Sequence, residues 1–165
     1  MKTKQLIAIM ILSIFLSNCS NKKPEDKMAI EETIAIVEEV SIEASLFSRL
    51  GGEEGISAIV DDIVKAHLVN PEIKQVFMPL ANDPARLESF KTHVKEFLSA
   101  GTGGGATYTG KDLPTAHKGL NTTEKEFLSA TDDILLVLSN HGIDEETKKD
   151  MLYILYSMKG AVIGK

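Results

Sequence analysis

From Ile56 onward the apolar positions recur with the period of a helix, not of a strand. Ile56, Ile59, Val60, Ile63, Val64 and His67 fall on one helical face, and Pro71 ends the run. Asp83-Pro84 then has the form of an N-cap followed by proline at the first helical position. The helix it opens carries one stripe, Leu87, Phe90, Val94, Phe97 and Leu98. Thr123 and Glu126 have capping-box spacing ahead of Phe127, Thr131, Ile134, Leu135 and Leu138, and Asn140-His141-Gly142 closes that helix. Asp144 caps a last helix with Met151, Leu155, Met158 and Val162 on its apolar face. Two shorter pieces complete the set: Leu46 to Leu50, stopped by Gly51-Gly52, and Glu72 to Phe77. No helix can bury its own stripe alone, so the four long ones must pack on one another. The pattern predicts an all-α fold.

One stretch breaks this rhythm. Gly101 and Gly103 to Gly105 end the second long helix, and a loop through Tyr108 and Gly110 leads to Leu113-Pro114-Thr-Ala-His117. Pro114 is placed to start a short helix three residues before His117. Leu113 and Leu120 flank that imidazole. A lone histidine in such a turn reads either as a packed, hydrogen-bonded core residue or as the axial ligand of a heme iron, and the local pattern leaves both open.

Composition narrows the field. The 165 residues suffice for one domain plus a short extension, and 43% hydrophobic content fills a real core. A formal charge of -6 argues against a broad electrostatic grip on nucleic acid. The first residues have a targeting pattern. Lys2 and Lys4 precede an apolar run from Leu6 to Leu16, too short to span a bilayer as a helix. The run ends in Leu16-Ser17-Asn18-Cys19, and Cys19 is the only cysteine, so no internal disulfide exists. This resembles a bacterial lipoprotein signal, in which the cysteine is lipidated; Asn18 departs from the small residue usual at that position. The expected organisation is a signal peptide over 1–18, a lipidated tether with a candidate amphipathic lead-in helix over 19–44, and a globular domain over 45–165. Export and anchoring to an envelope membrane follow from the same resemblance.

From Leu46 to about Ile163 the chain resembles the group I truncated hemoglobins. The matching pieces are Leu46-Phe-Ser-Arg-Leu-Gly-Gly52, Val60-Asp-Asp62, Phe77, Thr102-Gly-Gly104, Tyr108-Thr-Gly110 and Ala116-His-Lys-Gly-Leu120, in that order. Each alone is weak, whereas their order and spacing are specific. The resemblance implies a two-over-two helical sandwich around heme b, with His117 as the proximal iron ligand. It implies a pocket wall of Phe77, Phe90, Val94, Phe97 and Leu98, with Tyr108 or Lys91 near the propionates.

The chain also departs from that family. The positions of its distal tyrosine and glutamine are Val64 and Val94, whose side chains donate no hydrogen bond. His93, one residue before Val94, is left as the distal candidate, as a sixth iron ligand. His67 is expected at the edge of the core, and His141 at a helix end. The leading expectation is reversible binding of a diatomic gas: O2, NO or CO. The alternatives are a six-coordinate bis-histidine protein for electron transfer, with a reductase as partner, and a heme-free envelope interaction module.

Overall fold

A computed structural model describes residues 44–165. The signal segment 1–18, Cys19 and the lead-in helix before residue 44 lie outside the described residues. The described chain contains seven helices and begins with α1 (Leu46–Arg49), capped by the Ser45 hydroxyl, which accepts from the Ser48 N–H. Gly51, in the left-handed region at φ 87°, turns the chain into α2 (Gly52–Val69). The six residues expected on the inner face of α2 are the six it buries. With Leu50, Val137, Leu138 and Met151, the apolar ones among them form the core.

The next piece, α3 (Lys74–Ala81), differs from the expected Glu72–Phe77. It starts later and runs on through Pro79. Proline removes the N–H that would meet the Gln75 carbonyl. The Asn82 N–H still closes the last turn on Met78 O at 3.1 Å, so the helix survives one missing bond. In α4 (Pro84–Thr102) the Asp83 carboxylate accepts from the Arg86 N–H at 3.1 Å, as its cap position predicts. Gly103 ends α4 at φ 95°, and the Gly104 N–H returns to Ser99 O at 2.8 Å. A loop then reaches α5 (Leu113–His117), capped by Asp112. Thr123 and Glu126 form the expected capping box of α6 (Glu124–Asn140), and Asp144 caps α7 (Glu145–Val162).

The helices pair in two layers. α2 packs on α4 in one and α6 on α7 in the other, with α2 also crossing α6. The short helices close the flanks: α3 against α2 and α4, and α5 against α7. Among the described residues the α4 backbone nowhere comes within 8 Å, Cα to Cα, of α5, α6 or α7. That gap explains a departure from simple amphipathic packing. The apolar stripe of α4 is only half-buried from end to end, and the residues α4 buries fully are Ser99 and Thr102. Their hydroxyls are satisfied by Glu53 Oε1 at 2.8 Å and Leu98 O at 2.6 Å. The architecture is the all-α, two-over-two arrangement expected from the sequence.

Two glycines predict opposite outcomes. A Cβ on Gly55 would stand 2.1 Å from the Leu50 carbonyl oxygen, backbone against backbone. Gly55→Ala should therefore cost about 1–3 kcal/mol. Gly101, in the last turn of α4, has open space around it, so Gly101→Ala should gain up to about 1 kcal/mol. Urea unfolding midpoints of the two variants check the signs.

Candidate functional site

The two layers enclose a cavity of about 180 Å³. α2 contributes Ile56, Ile59, Val60, Ile63, Val64 and His67 to its lining; α6 contributes Ile134 and Leu138, and α7 Met151, Leu155 and Met158. Phe77 reaches it from α3, and Phe90, Val94, Phe97 and Leu98 from α4. Six residues expected to wall a pocket, Val64, Phe77, Phe90, Val94, Phe97 and Leu98, are therefore brought together. Phe77 sits at the centre of an aromatic chain. Its ring lies 4.9 Å from His67 and 6.0 Å, edge-on, from Phe90.

His117 is not on this lining. It ends α5, which packs on α7, and three α7 residues line the cavity. Its Nδ1 lies 2.8 Å from the Leu113 carbonyl oxygen. A carbonyl only accepts, so Nδ1 carries a proton, which leaves Nε2 as the ring nitrogen available to a ligand. A donor bond from one ring nitrogen to a backbone carbonyl is the usual orienting contact of a metal-ligating histidine. The Asp112 cap and Pro114 fix the short helix that delivers it.

His93 and Tyr108 lie one layer outside the lining. The His93 ring packs edge-on against Tyr108 at 6.4 Å, and Tyr108 packs edge-on against Phe97 at 5.3 Å. The Tyr108 hydroxyl donates to Lys111 O at 2.6 Å. Thr109 donates twice to Glu96 Oε2, from its N–H at 3.0 Å and its hydroxyl at 2.7 Å, which clasps the loop to α4. Those two bonds hold the Glu96 carboxyl below its ordinary pKa. Lys91 is engaged by Glu88 at 3.1 Å and Asp61 at 3.4 Å. His141 Nε2 meets Asp62 Oδ2 at 2.9 Å, a surface tie between α6 and α2.

His67 is more than the core-edge histidine expected. It is 6% exposed and pairs through Nδ1 with Asp133 Oδ2 at 2.9 Å. Asn70 Nδ2 donates to the same oxygen at 2.8 Å and to Ser129 Oγ at 3.0 Å. Burial pushes the imidazole below its ordinary pKa of 6.5, and Asp133 opposes that shift. The sequence offered one signal for Asp133, a carboxylate beside Ile134 at the border of the α6 stripe.

These residues fit the heme that the sequence resemblance implies. α4 and α5 stand apart, the wall between the layers is hydrocarbon and aromatic, and His117 holds an oriented imidazole with a free Nε2. The fit rests on that donor set and that wall.

Known proteins point the same way. The family described as bacterial-like globin matches residues 45–163. A group 1 truncated hemoglobin of Chlamydomonas moewusii is 29% identical over 121 residues, spanning 72% of this chain and 68% of its own. The truncated hemoglobin of Tetrahymena pyriformis, solved in its Fe(III) form, superposes with a TM-score of 0.67 at 22% identity. That match covers 74% of this chain and all of the other. The 2/2 hemoglobin of a Synechococcus strain, solved in the cyanomet state with covalently attached heme, gives a TM-score of 0.61 at 22% identity, over 70% and 94% of the two chains. At these identities the solved structures share the fold.

The lowered His67 pKa sets a pH dependence. The folded chain releases this proton more readily than the unfolded one. In the window between the folded value and 6.5 the unfolded chain holds more protons, so stability is full above that window and falls as pH drops through it. The slope from one group is at most about 1.4 kcal/mol per pH unit. Urea midpoints measured from pH 7.5 to pH 5 should fall less steeply in His67→Leu than in the wild type.

Proposed function

This chain belongs to the bacterial-like globin family, and from that membership we propose that it binds heme b, with His117 as proximal ligand, and takes up a diatomic gas on the opposite side. The observation that carries the reading is the His117 imidazole, whose Nδ1 proton is committed to Leu113 O while Nε2 stays free. When bound, heme supplies the iron to which a gas attaches. The chain's own residues do the rest. His117 would hold the heme, and Phe77, Phe90, Phe97 and Leu98, which line the cavity, would keep water from it. Val64 and Val94 offer no hydrogen bond to a gas, so nothing at these two positions favours O2 over CO or NO. His93, which packs beside Tyr108, would as a second iron ligand give the bis-histidine electron-transfer alternative.

His117→Ala removes the axial nitrogen and leaves the apolar slot. Heme affinity should fall on the order of a hundredfold, which corresponds to about 3 kcal/mol. Heme transfer to a competing acceptor, followed by absorption, reads that loss; retention and a spectrum equal to the wild type would overturn the assignment.

We also propose that the protein is exported and anchored through Cys19, supported by the lysine-flanked apolar run ending in Leu16-Ser17-Asn18-Cys19. Two acyl chains, each adding about 0.8 kcal/mol per buried CH₂, suffice for stable attachment. Wild type should fractionate with membranes and Cys19→Ala should not. A soluble wild-type chain that retains Met1 would refute this.

A further inference from the structure

The described residues contain a second imidazole in the same chemical state as His117. His67 is nine-tenths buried and lines the cavity. Its Nδ1 faces the Asp133 carboxylate, which accepts, so the proton sits on Nδ1 and the lone pair on Nε2. Nε2 makes no hydrogen bond. The other lining side chains are hydrocarbon, aromatic or thioether. Such a cavity admits neutral molecules and resists anions, because an anion loses its hydration on entry.

We propose that His67, held by Asp133, is the proton acceptor through which the protein takes up weak-acid ligands, molecules HX that enter neutral and are retained as X⁻. In the step the H–X bond breaks, its electron pair stays on X, and the proton moves to His67 Nε2. No electron is transferred. The proposal rests on the heme reading above, since ferric iron is what retains the anion. Asp133 stabilises the resulting imidazolium at 2.9 Å, and Asn70 steadies the same carboxylate oxygen. This arrangement, an imidazole base oriented by a carboxylate, is the one that activates nucleophiles elsewhere in protein chemistry.

The pH dependence has one sign. Asp133, from α6, is the titratable group that meets His67. α3 brings the Phe77 ring, and α4 brings Phe90 behind it, neither of them charged. Uptake should slow as pH falls through the His67 titration, because the imidazolium cannot accept a second proton.

The test uses the heme-loaded ferric chain mixed with hydrogen cyanide, and the ferrous chain mixed with CO, which carries no proton. His67→Leu should slow cyanide association about tenfold or more at pH 7, and Asp133→Asn should slow it less. CO association should change by no more than about twofold in either variant, since removing a proton acceptor affects only a ligand that must shed a proton. Nitrogen-15 NMR of the wild-type heme-loaded chain before cyanide is added should show His67 protonated at Nδ1 alone at pH 7, the state that can accept a proton at Nε2 and a readout independent of either variant. Equal slowing of cyanide and CO would mean a reshaped cavity and overturn the role. A His67 protonated at Nε2 in the free chain at pH 7, or unchanged cyanide kinetics, would also overturn it. A wild-type chain that takes up no heme overturns the parent reading, and this one with it.

Discussion

The packing of α2 against both α4 and α6 constrains everything else. Its buried face must be apolar over a wide arc, because two neighbours approach it from different directions. Ile56, Ile59 and Val60 fill that role at 3% exposure or less. Since both partners lean on one helix, they diverge away from it, and the α4 backbone nowhere comes within 8 Å, Cα to Cα, of α6 or α7. The cavity is the geometric result of that divergence. His67, on the same face as the core residues, is carried to its wall by register alone, one turn after Ile63 and Val64.

The two imidazoles with free Nε2 atoms reach that state by different means. His117 uses a carbonyl of its own short helix, so the contact forms as soon as α5 does. His67 uses a carboxylate 66 residues along the chain, so its contact exists only after α2 and α6 have packed. The first orientation is local and follows from Asp112 and Pro114. The second depends on the tertiary fold and is steadied by Asn70, at the end of α2.

That contrast also marks what was legible in the sequence. The helices and their caps follow from period and spacing, because those signals act within a few turns, whereas the wall residues came from the family resemblance. The α2 face and the Thr123–Glu126 box are as the pattern predicts. Periodicity could not tell the stripe of α4 from an ordinary core face, since both are written in the same residues; only the missing neighbour separates them. The extension of α3 through Pro79 was also hidden, because a proline reads as a stop when the tertiary packing that tolerates it is unseen. The pairing of His67 with Asp133 left no local trace beyond a carboxylate at a stripe border.

The half-buried stripe of α4 has a thermodynamic consequence. Phe90, Val94, Phe97 and Leu98 are half-buried and turn part of their apolar surface to the cavity. Whatever occupies the cavity covers it, and a molecule that binds only the folded chain shifts the folding equilibrium in proportion to the logarithm of its concentration. The persistence of this protein in its surroundings is thus set partly by supply. Where the occupant is scarce the chain spends more time open, with an aromatic-rich helix available to proteases and to other chains; where it is abundant the same sequence behaves as a more stable protein.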